Sequence, residues 1–151
     1  MTVDELLTRY AAGERDFSGS GLRDIELVDT DLRDINLSSA DLSGANFQGV
    51  NFTNANLSRA IISDAGLIDC DLTNANLSYA RLQETALKGA NLTNACVQGT
   101  QFGPPYLTGA NLTNVDLSQA SIDLPGGSDN PRIADAILCN TTLPDGGNWT
   151  I

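Results

Sequence analysis

The chain offers few side chains suited to chemistry. Three cysteines, Cys70, Cys96 and Cys139, could supply a thiolate nucleophile, and 19 acidic residues could supply general acids and bases. A thiol needs a neighbouring base or cation to ionise near neutral pH. The sequence has no histidine, the commonest such base. Carboxylate pairs two residues apart, such as Asp29/Asp31 and Asp69/Asp71, have the residue types of an acid–base pair, but a repeating pattern sets them on a solvated surface. The cysteine spacing fits no zinc site, and Gly19-Ser20-Gly21 is too short to cradle a phosphate. No nucleophile elbow, phosphate loop or dinucleotide fingerprint occurs. The chain is therefore expected to be no enzyme and to need no metal or cofactor.

Charge narrows the partners. A net charge of −11 and a pI near 4.1 oppose direct binding to nucleic acid, whose phosphates call for Lys and Arg. At 151 residues the chain is expected to be one domain. With three cysteines, one must stay unpaired within the chain, which favours a reduced compartment. The first residues, MTVDELLTRY, lack a basic stretch followed by an apolar run. Nothing approaches the ~18 consecutive apolar residues of a membrane span. A cytoplasmic protein without membrane contact is the expectation.

What must position any functional side chain is a five-residue repeat. From Phe17 to Ile122 an apolar residue falls on every fifth position: 15 Leu, 4 Phe, 2 Ile and 1 Val. Two residues before each lies a mostly small residue, Ala in 11 of the 22 cases. On a helix, five residues advance about 500°, so the leucines would spread round the cylinder. On a straight strand an odd step alternates faces. The chain must instead turn once per five residues, and four turns close a square coil of 20. Stacked coils bury a column that no single repeat could bury. Face one then carries Phe17, Leu37, Leu57, Leu77, Val97 and Leu117; face two carries Leu22, Leu42, Ile62, Leu82, Phe102 and Ile122. Face three carries Leu27, Phe47, Leu67, Leu87 and Leu107, and face four Leu32, Phe52, Leu72, Leu92 and Leu112. Outer ladders of Asn36, Asn56 and Asn76 on face one, and of Asn54, Asn74, Asn94 and Asn114 on face four, are expected to bond above and below. Cys70 takes an inward small position and should be inert, whereas Cys96 takes an outward one.

The units Ala40-Asp41-Leu42-Ser43-Gly44, Ala55-Asn56-Leu57-Ser58-Arg59, Ala75-Asn76-Leu77-Ser78-Tyr79 and Ala110-Asn111-Leu112-Thr113-Asn114 resemble the A(D/N)LxX unit of pentapeptide-repeat proteins. The resemblance covers 15–124 closely and 131–143 less regularly. It implies an all-β solenoid, a right-handed quadrilateral parallel β-helix, here of about five and a half coils. The array with its short amino-terminal helix looks most like the cyanobacterial members. That implies the cytosol or, if an export signal was removed, the thylakoid lumen or periplasm.

The ends depart from the repeat. Thr2 and Glu5 have capping-box spacing, and Val3, Leu6, Leu7 and Tyr10 form one apolar face, so 2–12 reads as a helix closed by Gly13. It is expected to cap the first coil, because a bare solenoid end exposes strand edges. Gly103-Pro104-Pro105-Tyr106 should bend the chain without breaking the frame. Residues 125–151 read as a loop and a carboxy-terminal cap, with Trp149 over the last coil. Ile133, Leu138 and Leu143 resume the repeat one residue out of phase.

Two functional readings remain. The first is a protein-interaction scaffold, monomeric or dimeric through a solenoid end. Val28, Ile68, Ala86 and Tyr106 on face three, with neighbouring Ile61, place apolar groups where polar ones are usual. The second is an acidic mimic of DNA that binds a DNA-handling enzyme, since some pentapeptide-repeat proteins protect gyrase. Asp24, Asp64 and Glu84 share one corner column and Asp29 and Asp69 the next. Gly44, Gly49 and Gly89 interrupt these columns, and no long loop within the solenoid matches the kind some gyrase-protecting relatives use.

Overall fold

The computed structural model describes residues 1–122 and 131–144. The expected loop after Ile122 and the cap around Trp149 lie largely outside these residues. A single parallel pairing pattern organises the rest. Asp16 pairs with Asn36, Asn36 with Asn56, Asn56 with Asn76 and Asn76 with Cys96; Gly21, Glu26 and Asp31 start the corresponding columns on the other three faces. Each step is 20 residues, so the four faces read from the sequence are the four sides of the coil.

The five-residue unit has a simple physical logic. The residue before the leucine pairs with the coils on either side, Asn56 with Asn36 below and Asn76 above. Toward the coil below, Asn56 donates to the Ile35 carbonyl at 2.9 Å and accepts from the Leu37 amide at 2.8 Å. The chain then turns. The residue two past nearly every inward apolar residue has positive φ, as at Asp24 (56°), Asn54 (59°) and Tyr79 (60°). The next residue's amide closes the turn onto the leucine carbonyl, as from Ala40 to Leu37 at 3.1 Å. Positive φ at the third turn position is the signature of a type II turn, where Gly, Asn and Asp are least strained.

The side chain before the leucine explains the preference for Asp or Asn. Its oxygen accepts the backbone N–H two residues on, from Ser38 to Asn36 (3.1 Å), Thr53 to Asn51 (2.9 Å) and Ser118 to Asp116 (2.9 Å). This use revises the expected face-one ladder. Asn56 and Asn76 bond Ser58 and Ser78 of their own turns, and among these Asn36 alone bonds the coil below, through Asp16 at 3.0 Å. The face-four corner ladder does form. Asn140, Asn114, Asn94, Asn74 and Asn54 each donate to the residue below, and the chain ends on the Asp34 carboxylate.

The column is filled from every side. Leu32, Phe52, Leu72 and Leu92 are buried on face four, and Phe47 and Phe52 meet edge-to-face at 5.3 Å. Where a polar group takes the inward small position, it bonds the coil below. Thr85 donates to the Ile62 carbonyl and Thr100 to that of Leu77, both at 2.7 Å. Among the described residues no buried side-chain N or O lacks a partner.

Cys70 occupies the same inward position, with its thiol 2.7 Å from the Phe47 carbonyl. Burial pushes this thiol up to about 12, while Cys96 and Cys139 are exposed. A thiolate-specific reagent should therefore titrate two of the three thiols in native protein and the third only after denaturation. Labelling of Cys70 at the rate of Cys96 would contradict this placement.

Helix α1, Val3–Ala11, lies against the first coil. Leu6 is buried, the Met1 ammonium donates to the Gly21 carbonyl (3.2 Å), and the Tyr10 hydroxyl donates to that of Arg33 (2.9 Å). Only half of the capping box forms: Thr2 accepts from the Glu5 amide at 3.2 Å, but the Glu5 carboxylate turns to Arg9.

At the other end β1, Gln101–Gly103, pairs with β2, Ser121–Ile122, with a shift of register between Gln101 and Gly103. Gly103, at φ 62°, takes the turn that Pro104 cannot. Leu107 is nonetheless fully buried, so the proline pair bends the chain and the frame survives. Beyond 122 the step lengthens, with Asn111 pairing Ile137 and Asp116 pairing Thr142. The step of 26 residues is one whole repeat plus one residue more than 20, which is the phase slip seen at Ile133, Leu138 and Leu143.

Candidate functional site

Face three presents the apolar strip. Gly66, Ala86 and Tyr106 occupy successive pairing positions, Gly66 bridging Ala86 and Ala86 bridging Tyr106. On the other faces these sites mostly hold Asp or Asn, with Gly21, Ile61, Arg81, Cys96 and Gln101 among the exceptions. Ile68, two residues past Gly66, flanks the column half-buried. Tyr106 is 43% exposed, and the Arg132 guanidinium lies 5.2 Å from its ring centre. Val28, also well exposed, is on the same face two coils below Ile68, with Gln48 between them. Ile61 is elsewhere: it pairs with Asp41 and Arg81 on face two. The structure thus brings Ile68, Ala86 and Tyr106 together, leaves Val28 as an outlier, and separates Ile61 by a corner.

The acidic residues sit on two corners. Asp24, Asp64 and Glu84 hold one and Asp29 and Asp69 the next, all at positive φ. Among the described residues none of these five has an ion pair. The interrupting glycines have a specific role. Asp24 projects its carboxylate into the space a Cβ on Gly44 would need, and Asp29 and Asp69 do the same toward Gly49 and Gly89. Coils are about 4.8 Å apart, and Asp64 and Glu84 sit on adjacent coils. Where Gly44 lies between Asp24 and Asp64, and Gly49 between Asp29 and Asp69, the like charges are separated by about 10 Å. That is roughly a Debye length at physiological salt, where repulsion is largely screened.

Other charges are neutralised locally. Arg33 clasps Asp31 at 2.6 Å and Arg23 reaches Asp41 at 3.0 Å. Hydrogen bonds from Arg33 hold the Asp31 carboxyl below the usual carboxylate range, and those from Ser43 do the same for Asp41. No cluster of three metal-ligating side chains occurs among the described residues.

A parallel square coil with 20-residue spacing, an Asp or Asn before most of the inward leucines and a type II turn after them coincides with one family model, pentapeptide repeats, matched in eight copies over 25–64, 35–72 and 70–103. The chain belongs to the pentapeptide-repeat family. The family's right-handed quadrilateral β-helix is accordingly its fold. Among solved structures, the pentapeptide repeat protein alr5209 from Nostoc PCC 7120 is 36% identical over 81% of this chain and 96% of its own, with a TM-score of 0.65. A pentapeptide repeat protein of the Arabidopsis thaliana thylakoid lumen is 29% identical over 74% of this chain and 66% of its own, with a TM-score of 0.50. The plasmid-mediated fluoroquinolone resistance protein QnrB1 is more distant, 18% identical over 85% and 88% with a TM-score of 0.45, too far to bear on function. A search of curated proteins returns no match.

Proposed function

We propose that this pentapeptide-repeat protein is a non-enzymatic scaffold that binds a protein partner through face three. The observation that supports the reading is the run Gly66–Ala86–Tyr106 with Ile68 alongside, an apolar strip of three successive pairing positions on a flat face, whereas equivalent positions on the other faces are mostly polar. A coil of fixed side chains loses little entropy on docking, which favours recognition by surface shape. In this reading about five and a half coils form the platform and α1 closes its amino-terminal end. No helix among the described residues is long and apolar enough to cross a membrane. The cytoplasm is the setting proposed, with a thylakoid lumen as the alternative.

Ile68→Glu and Ile68→Arg test the surface. Both should leave circular dichroism unchanged and stability within about 0.5 kcal/mol, because the side chain makes no contribution to the inward column. Both should weaken a face-three complex, since an unpaired charge would be buried in it. Arg is the cleaner variant, because Lys88 one coil above could pair with a glutamate. Unchanged partner binding in both would remove face three from consideration.

The acidic-mimic reading has less support. Its columns are interleaved with glycine, and Arg23 and Arg33 offset acids of the same region. A gyrase supercoiling assay with a quinolone tests it directly, and protection from the drug would favour it over the scaffold.

A further inference from the structure

One rung of the ladder is open. From the second coil on, the residue before an inward apolar residue donates its N–H to the coil below and accepts an N–H from it; Tyr106, after Pro105, accepts but among the described residues does not donate. By that rule Asp116 should donate to the Ala95 carbonyl and accept from the Val97 amide. Among the described residues neither bond forms, and Cys96, which pairs with Asn76 below, has no pair above. The neighbouring rungs are closed. On face four Asn111 donates to Ala90 at 2.9 Å and accepts from Leu92 at 2.7 Å; on face two Ser121 donates to Thr100 at 2.8 Å. The next rung up is closed as well, with Thr142 donating to Val115 at 3.0 Å and Leu117 donating to Thr142 at 2.8 Å. Just past the gap, the Gly99 amide reaches Gln119 at 2.8 Å, one residue later than the frame used elsewhere, where Tyr79 reaches Gln98.

A cleft of about 440 Å³ occupies this opening, lined by Ala95, Cys96, Val97, Gln98, Asp116 and Gln119. Its size is that of a small-ligand site, and its floor is an unfilled hydrogen-bond pair. Polar backbone groups at such a place need a partner. Asn94 and Asn114 border the cleft, but their amides are spent in the corner ladder. The groups left are the Ala95 carbonyl, the Val97 amide, the glutamine amides and the free oxygen of Asp116, whose other oxygen holds the Ser118 amide.

We propose that this open rung binds a short extended peptide segment, one residue of which takes the place of Asp116 on the Ala95 carbonyl and the Val97 amide. The spacing of an acceptor and a donor on one strand edge is what a single extended residue's N–H and C=O complement. Closed rungs on both sides limit the entrant to a strand end or loop tip a few residues long. Among the described residues Asp116 forms no ion pair, and the whole chain is acidic, so a basic side chain at the docked position is favoured and an acidic one is excluded. The site lies on face one, apart from the face-three strip, and does not depend on it.

The probe is the capped tripeptide Ac-Val-Lys-Val-NH2, titrated into isotope-labelled full-length protein and followed by backbone amide shifts. Saturable shifts centred on Val97 and Asp116 are expected. Methylating the lysine backbone nitrogen removes the N–H that Ala95 would accept, and should weaken binding about tenfold, the value of one well-made hydrogen bond. Asp116→Asn, which keeps the oxygen that accepts from Ser118, should leave the spectrum folded and weaken the lysine peptide while sparing Ac-Val-Gln-Val-NH2. Absence of saturable shifts at millimolar peptide, shifts centred elsewhere, or equal binding of the N-methylated peptide would each overturn the proposal.

Discussion

Truncating Leu72 to alanine is expected to cost about 2–5 kcal/mol, the range for removing a buried leucine whose surroundings cannot close in. Leu72 is fully buried midway along face four, stacked between Phe52 and Leu92. Its own amide donates to Asn91 at 2.7 Å, and the Asp71 amide before it donates to Val50 at 3.0 Å. Rungs above and below therefore fix the coil spacing, and the cavity cannot collapse without breaking them. The comparison is Ser78→Ala, whose hydroxyl among the described residues bonds only the exposed Cys96 thiol, at 3.1 Å. That change should stay within about 0.5 kcal/mol. Chemical denaturation that finds equal losses for the two would contradict the division into inward and outward positions.

Deleting residues 1–13 should drive self-association. These residues carry Leu6 and the apolar side chains of Met1, Val3, Leu7 and Tyr10, which pack on the first coil. Their removal uncovers Phe17 and the outer edge of that coil. The edge residues Asp16, Glu26 and Asp31 are acidic, a common defence against edge pairing. Two such ends repel each other at low salt, so association should strengthen as salt screens them. Light scattering would show a mass above that of the full chain, rising with ionic strength. A truncated protein with the mass of the full chain at every salt concentration would end the capping argument.

Most of the coil was legible because its determinants are local and repeated. An inward leucine every fifth residue sets the register, and a 20-residue closure follows from four turns. The corner ladder from Asn54 to Asn114 could be read for the same reason: identical amides recur at one turn position, whereas Asn140 joins it across the lengthened step of 26 residues. The face-one asparagines misled because their position is one residue before the leucine. There the side-chain oxygen reaches its own turn amide sooner than it reaches the next coil. The glycines at 44, 49 and 89 looked like interruptions, yet each makes room for a carboxylate from the coil below. That relation is visible only once residues 20 apart are brought together.

The candidate sites were legible in part. Ile68, Ala86 and Tyr106 were assigned to one strip by counting, and the count is geometrically sound. Ile61 was drawn in by nearness in sequence, and a turn at Asp64 carries it to another face. The open rung had no local signal. Ala95-Cys96-Val97 and Val115-Asp116-Leu117 are ordinary repeats. Their failure to pair depends on how two whole coils register on either side of Gly103-Pro104-Pro105.

The most direct test of a scaffold acting through face three sets two surfaces against each other in one binding measurement. A partner captured by the wild-type protein is titrated against Ile68→Arg and against a triple variant, Asp24→Asn, Asp64→Asn and Glu84→Gln, which neutralises one acidic corner without altering its turns. The account predicts that Ile68→Arg loses the partner and the neutralised corner keeps it. Loss with the neutralised corner and retention with Ile68→Arg would contradict it.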